Sequence, residues 1–247
     1  VKTIVFLLAA TLPALAGDFN AIVLEQIAKQ PSGGGYAVTR EAHQALNKAV
    51  SSSGEGLKID ARLAQPSYCS GATYLVFLQT LQALEKRNLA RDVPWKALIP
   101  RAARDGAGVW GRWNANGPGT ARLFTESGIG RNFTDWKQAR PGDFMKIFWT
   151  PAVGKLERGH LVVFLGVENG PDGERVRFWS SNKPLGYGEK SVARKSVARA
   201  IFSRLENPQA ASHLDKLPAL DAYLAGLLEN ESSFDEACRL SGVRESN

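Results

Sequence analysis

Cys69 and His160 are the two side chains in this sequence best suited to nucleophilic chemistry. Cys69 lies in SYCSGATYLVFLQTLQAL, where Ala72, Leu75, Leu78, Leu81 and Leu84 recur every three residues. That is a helical period, and it predicts a long amphipathic helix with Cys69 in its first turn. Unpaired N–H groups and the positive end of the helix dipole favour an anion there. They draw a thiol from its free pKa of about 8.5 toward thiolate at neutral pH. A thiolate also needs a partner that holds and delivers a proton, and the chain has three histidines. His43 sits among Glu41, Gln44 and Lys48 and reads as a surface residue. His213, between Ser212 and Asp215 near a helix start, reads as part of a cap. His160 remains, opening a strand directly after Gly159, where the missing side chain permits close approach of a substrate or a neighbouring backbone.

The elements that must position this pair can be read from the pattern around it. The runs 143–149, 160–168 and 174–181 are rich in Val, Ile, Phe and Trp, and NGPDG at 169–173 is turn chemistry. An antiparallel hairpin over 160–182 follows. If Glu168 pairs with Glu174 across a five-residue turn, His160 faces Asn182. Opposed residues have Cβ atoms about 4.5–5.5 Å apart, close enough for the amide oxygen to accept an imidazole N–H. A slip of one or two residues brings Ser181 or Ser180 opposite instead. The expected division of labour has Cys69 attacking an acyl carbon, His160 carrying the proton and Asn182 orienting the ring. The Cys69 backbone N–H is one oxyanion donor; Gln65 is either a second or a turn residue facing solvent.

Residues 92–130 are rich in Gly, Asn and Trp, and only TARLFTES within them looks helical. A loop of that length in a compact domain is usually functional. Trp110, Trp113 and Asn114, with Ser180, are therefore the candidate substrate-binding residues, the alternative for the tryptophans being structural packing under the loop.

Around this core, 17–56 is expected to hold two short helices separated by PSGGG, and 57–64 to approach Pro66 in extended form. The segment 207–247 is expected to form a C-terminal helical appendage. Residues 1–16 combine Lys2, an apolar run from Ile4 and a small-x-small site at Ala14–Ala16, the pattern of a secretory signal. No later run approaches the ~20 apolar residues of a membrane span, so an exported, soluble and monomeric protein is expected. The formal charge is +7, with a mild basic cluster from Lys190 to Arg204. No zinc spacing, phosphate loop or nucleic-acid motif accompanies it, so neither a metal or other cofactor nor a nucleic-acid partner is expected. The two cysteines leave open a Cys69–Cys238 disulfide, which would abolish the nucleophile.

Cysteine at a helix start, histidine at a strand start and a polar residue on the next strand make an order that resembles the papain-like cysteine peptidases and amidases. The sequence resembles most the secreted bacterial NlpC-like branch. YCSG is similar to its Cys-Ser-Gly motif, RPGDFMKIF to its Pro-Gly-Asp strand and GHLVVFLG to its Gly-His strand. Tyr68 stands where that branch usually has Asp. The resemblance spans about 66–182 and implies an α+β, papain-like (NlpC-like) domain over 57–206, its nucleophile helix packed on an antiparallel sheet. It further implies a cysteine hydrolase of amide bonds, with peptidoglycan peptides as substrate and Cys69 and His160 as nucleophile and base. A catalytically silent papain-like module that binds wall glycan or peptide through the tryptophans is the competing expectation. A transglutaminase-like acyl transferase ranks last, because the hairpin's only Asp, Asp172, lies in its turn.

Overall fold

The computed structural model describes residues 19–54 and 56–243; the expected signal segment lies outside them. The chain opens with α1 (Phe19–Ile27), a two-residue strand β1 (Gly33–Gly34) and α2 (Arg40–Ala49), whose Thr39 side chain caps the Ala42 N–H. A small hairpin of β2 (Val50–Ser53) and β3 (Gly56–Ile59) leads to α3 (Cys69–Lys86), then α4 (Gly108–Asn114) and α5 (Gly119–Ser127). Gly128, left-handed at φ +68, closes α5. Strands β4 (Gly130–Phe133), β5 (Phe144–Phe148), β6 (Val153–Gly154), β7 (Gly159–Gly170), β8 (Gly173–Asn182), β9 (Gly186–Ala193) and β10 (Arg199–Leu205) follow. A 3₁₀ segment (Pro208–Lys216), α6 (Ala222–Gly226), β11 (Glu231–Ser232) and α7 (Phe234–Leu240) complete the described chain.

One seven-stranded sheet, ordered β1-β9-β8-β7-β5-β10-β4, forms the frame, and each neighbouring pair in it is antiparallel. Its strands alternate with a period of two. Leu161, Val163 and Trp179 face the helices, while Val162, Phe164 and Phe178 face a second apolar cluster with Met145, Ile147 and Phe202. Both faces are thus covered, and the molecule is mixed α/β with an antiparallel sheet.

Four sequence-based expectations need correction. Helix α3 is not amphipathic: Ala72 to Leu78, Leu81 and Leu84 are all fully buried, because the helix is enclosed by the sheet, α1 and α4. Its interior hydroxyls are satisfied locally, Thr73 on the Cys69 carbonyl (3.0 Å) and Thr80 on that of Val76 (2.7 Å). Residues 108–114 are helix rather than loop. No capping side chain announces α4; it forms because Trp113 stacks on Phe77 of α3 (4.7 Å between centroids). The PSGGG segment is not only a turn, since Gly33 and Gly34 pair with Tyr187 and Gly186 at the sheet edge. Finally, the C-terminal segment is more than a helical appendage. Ala211 and Leu214 belong to the main core, Ala237 is buried, and β11 pairs with β6.

The β7–β8 hairpin turns more tightly than expected. Gly170 pairs with Gly173, and Glu168 with Arg175, one residue off the expected pairing. A bulge at Leu165 then takes up one residue, so that Phe164 pairs with Phe178 and Val163 with Trp179. Continuing that ladder sets His160 opposite Asn182, the expected partner reached by a different route.

Candidate active site

Cys69 is the first residue of α3, and no side chain caps this helix terminus. The first-turn N–H groups, which have no partner within a helix, therefore stay available around the sulfur. Gly71 is closely packed: a Cβ on it would lie 3.2 Å from the Tyr68 ring, which folds back over the first turn and would have to give by a few tenths of an ångström. Cys69 carries a free thiol, so the Cys69–Cys238 disulfide is not formed.

His160 and Asn182 meet side chain to side chain, Nε2 to Oδ1 at 3.1 Å. The amide's orientation is settled by its other contacts, because Asn182 Nδ2 donates to the carbonyls of Gly188 (2.8 Å) and Ser180 (3.2 Å). Its oxygen must then face the ring. With Nε2–H donating to Asn182, Nδ1 is the nitrogen left to face the Cys69 thiol, whose pKa His160 lowers. Trp149 stacks on the imidazole (6.2 Å, 28°) and Phe178 meets it edge-on (5.7 Å).

The electrostatics of the thiol are a contest. Burial pushes its pKa up; the His160 charge, the His160 hydrogen bond, the Leu161 N–H and the Lys146 charge outweigh burial and bring it down to about 7. Lys146 is held by Glu157 at 2.6 Å, and Glu157 in turn accepts from the N–H groups of Gly117 (2.6 Å) and Gly154 (3.2 Å). This explains Gly159. A Cβ there would lie 2.4 Å from Glu157 Oε1 and 2.8 Å from Lys146 Nζ, so the residue before His160 is glycine to admit the ion pair.

Sequence reading missed Tyr36. It borders the cleft beside Cys69, and burial, the thiolate charge and hydrogen bonding toward Cys69 raise its pKa to about 12. Tyr36 is fixed by backbone bonds, its N–H to the Pro184 carbonyl and the adjoining Ala37 N–H to the Ser67 carbonyl. It lies far from Cys69 in sequence, and the glycine run before it was the one available hint. Gln65, by contrast, folds over Gly34, where a Cβ would meet its side chain at 2.3 Å, and it does not line the cleft. Gln65 is therefore not placed to donate to an oxyanion at Cys69, whereas Tyr36 borders that space.

A cleft of about 290 Å³ opens over Cys69 and His160, lined also by Tyr36, Tyr68, Asn114 and Lys146. Asn114 accepts from the Ser70 hydroxyl through Oδ1 (2.7 Å), which leaves its NH₂ for the cleft. Trp113 borders the cleft but is 1% exposed and donates to the Ser70 carbonyl (3.1 Å). Trp110 and Ser180 do not line it. Trp110 is buried against Tyr74, and Ser180 is buried while donating to the Leu161 carbonyl (2.8 Å).

His43 is not a plain surface residue: it borders the cleft and its Nδ1 lies 2.8 Å from the Tyr68 hydroxyl. His213 is exposed, away from the site. No cluster of three His, Cys, Asp or Glu side chains suited to a metal occurs among the described residues, nor does a helix long and apolar enough to cross a membrane.

Compared with protein-family models, curated proteins and solved structures, the chain has no match. A functional reading therefore stands on the geometry and on the order of its motifs.

Proposed function

We propose that this protein is a papain-like cysteine hydrolase of the NlpC-like kind that cleaves amide bonds, with peptidoglycan peptides as substrate. The observation that carries the reading is the chain of contacts from Asn182 through His160 to a thiol lowered to about 7 at a helix start. The Cys-Ser-Gly and Gly-His motifs support it, as does the α3 helix lying against β7 and β8. The expected signal segment and the net charge of +7 suit a protein exported to an anionic cell wall.

In this mechanism the Cys69 sulfur attacks the amide carbon while the carbonyl electrons move to oxygen. The Cys69 N–H and the Tyr36 hydroxyl donate to that oxyanion. As the carbonyl re-forms, the C–N bond breaks and the proton on His160 passes to the leaving nitrogen. Water then attacks the thioester, His160 takes its proton, and the carboxylic product departs with the thiol regenerated. Asn182 positions the imidazole throughout.

The test is release of peptides from purified cell walls. Cys69→Ala should abolish release with the fold retained by circular dichroism; undiminished turnover by that variant removes Cys69 from the mechanism.

A further inference from the structure

His160 borders two spaces. Its imidazole, with Tyr36 and Gly159, lines both the cleft over Cys69 and a separate hollow of about 240 Å³ that the hydrolytic steps do not use. The further walls of that hollow include Trp149, Phe178, Lys183 and Lys190. Trp149 is held just beyond β5 by its N–H on the Arg158 carbonyl (2.9 Å), with its indole stacked on the imidazole. Lys183 directly follows Asn182 in the turn between β8 and β9, so one short segment carries both the group that orients His160 and a cation beside it. Lys190 pairs with Phe178 in the β8–β9 register, which sets its side chain on the Phe178 face of the sheet.

The two spaces differ in charge. Asp105 and Glu157 face the cleft over Cys69, whereas the hollow has two lysines and no Asp or Glu in its lining. Neither Lys183 nor Lys190 forms an ion pair among the described residues. Glu189, the acidic residue next to Lys190, alternates to the opposite face and takes Arg177 there at 3.2 Å. Two uncompensated ammonium groups beside an aromatic wall suit an anionic group on a short carbon chain. Which part of a substrate reaches them follows from the proton's path: His160 delivers to the leaving nitrogen, so a space beyond the imidazole lies on the leaving side of the amide.

We infer that this hollow takes a carboxylate of the substrate's leaving portion, with Lys183 and Lys190 as counter-ions and the Trp149 indole under its carbon chain. The inference rests on the hydrolase reading and narrows it to amides whose leaving amine carries a carboxylate.

The probes are iodoacetamides whose nitrogen bears a chain of one, two or three methylenes ending in either a carboxylate or a carboxamide. The Cys69 sulfur displaces iodide, and the chain then extends from the probe's amide nitrogen as a leaving group would. Alkylation of Cys69 in the full-length protein is followed by mass spectrometry of the peptide that contains it. Each rate is taken relative to that of iodoacetamide, so that changes in thiol reactivity cancel. For at least one chain length the carboxylate should react about fivefold faster than its carboxamide or more, the scale of an exposed ion pair. Lys183→Met combined with Lys190→Met should lower that ratio at least about threefold. Lys195→Met combined with Lys216→Met removes the same charge from exposed lysines outside the hollow and should leave the ratio in place. Carboxylates and carboxamides reacting within about twofold at every length, a ratio that survives the first pair of substitutions, a ratio that the second pair lowers as much, or absence of Cys69 alkylation overturns the inference. Peptide release from cell walls by the unmodified protein reports separately on the hydrolase reading: release without a carboxylate preference keeps the enzyme and removes the subsite.

Discussion

At position 69 the cost of burying a charge competes with the attraction of two cations, and the cations win: the thiol pKa falls to about 7. Because it is lowered, the thiolate predominates above that pH and reactivity is lost as the pH falls through it. Alkylation by iodoacetamide should therefore show an inflection near 7, whereas an ordinary thiol would show one at about 8.5. Lys146→Met removes one of the two cations, so the inflection should move upward and the rate at neutral pH should fall. An unmoved inflection would show that Lys146 does not act on the sulfur. Tyr36 is tested by Tyr36→Phe, which keeps the ring and removes the donor. Loss of one oxyanion donor is expected to lower kcat by about 10²-fold, measured on wall peptides, with the alkylation rate as a control for the integrity of the thiol. Cys69 and His160 were legible in the sequence because helix periodicity and strand composition are local signals. Tyr36 was not, because its approach to the sulfur depends on a sheet-edge pairing of glycines that carry no pattern.

The elements are what hold these groups in register. Helix α3 is buried along most of its length, and Leu78 is fully enclosed. Leu78→Ala should cost about 3 kcal/mol, within the range for buried leucines, read from the urea midpoint at constant slope. A cost under about 0.5 kcal/mol, the level of a surface substitution, would contradict that burial. Gly159 tests the join between β7 and the ion pair. Gly159→Ala places a methyl where Glu157 Oε1 and Lys146 Nζ now lie, so the ends of both side chains must shift. A destabilisation of about 1–3 kcal/mol, the scale of overpacking, is expected on that ground, with the Cys69 alkylation inflection displaced upward as Lys146 withdraws. A variant with unchanged melting and unchanged inflection would show that the pair is dispensable. The β7–β8 hairpin shows how an element can satisfy an expectation by another path. Turn chemistry marked its position, and Gly166, with φ +140, marks the bulge at Leu165, without which the ladder begun at Gly170 and Gly173 would not set His160 opposite Asn182.

At the scale of the molecule, the site is assembled from segments that no single stretch of chain contains: Tyr36 before α2, Cys69 on α3, Lys146 on β5, His160 on β7 and Asn182 on β8. The C-terminal segment joins the same core through Ala211 and Leu214, and Asp221 at the start of α6 binds Arg122 of α5 at 2.8 Å. Ending the chain after Glu206 should therefore abolish cooperative thermal unfolding rather than trim an appendage; a sharp melting transition in that shortened chain would show the opposite. Local signals in the chain were enough to place the helix that begins at Cys69, the strands, the hairpin and the pairing of His160 with Asn182, since periodicity, β-branched runs and turn residues act over a few neighbours. Long-range packing alone settled that Trp110 and Ser180 are packing residues, that Tyr36 and not Gln65 borders the cleft, that Gly159 lies against an ion pair, and that Asp105 faces the cleft. Each of those outcomes turns on which side chains are left enough room and which charges are left without partners, and both are set by contacts between residues distant along the chain.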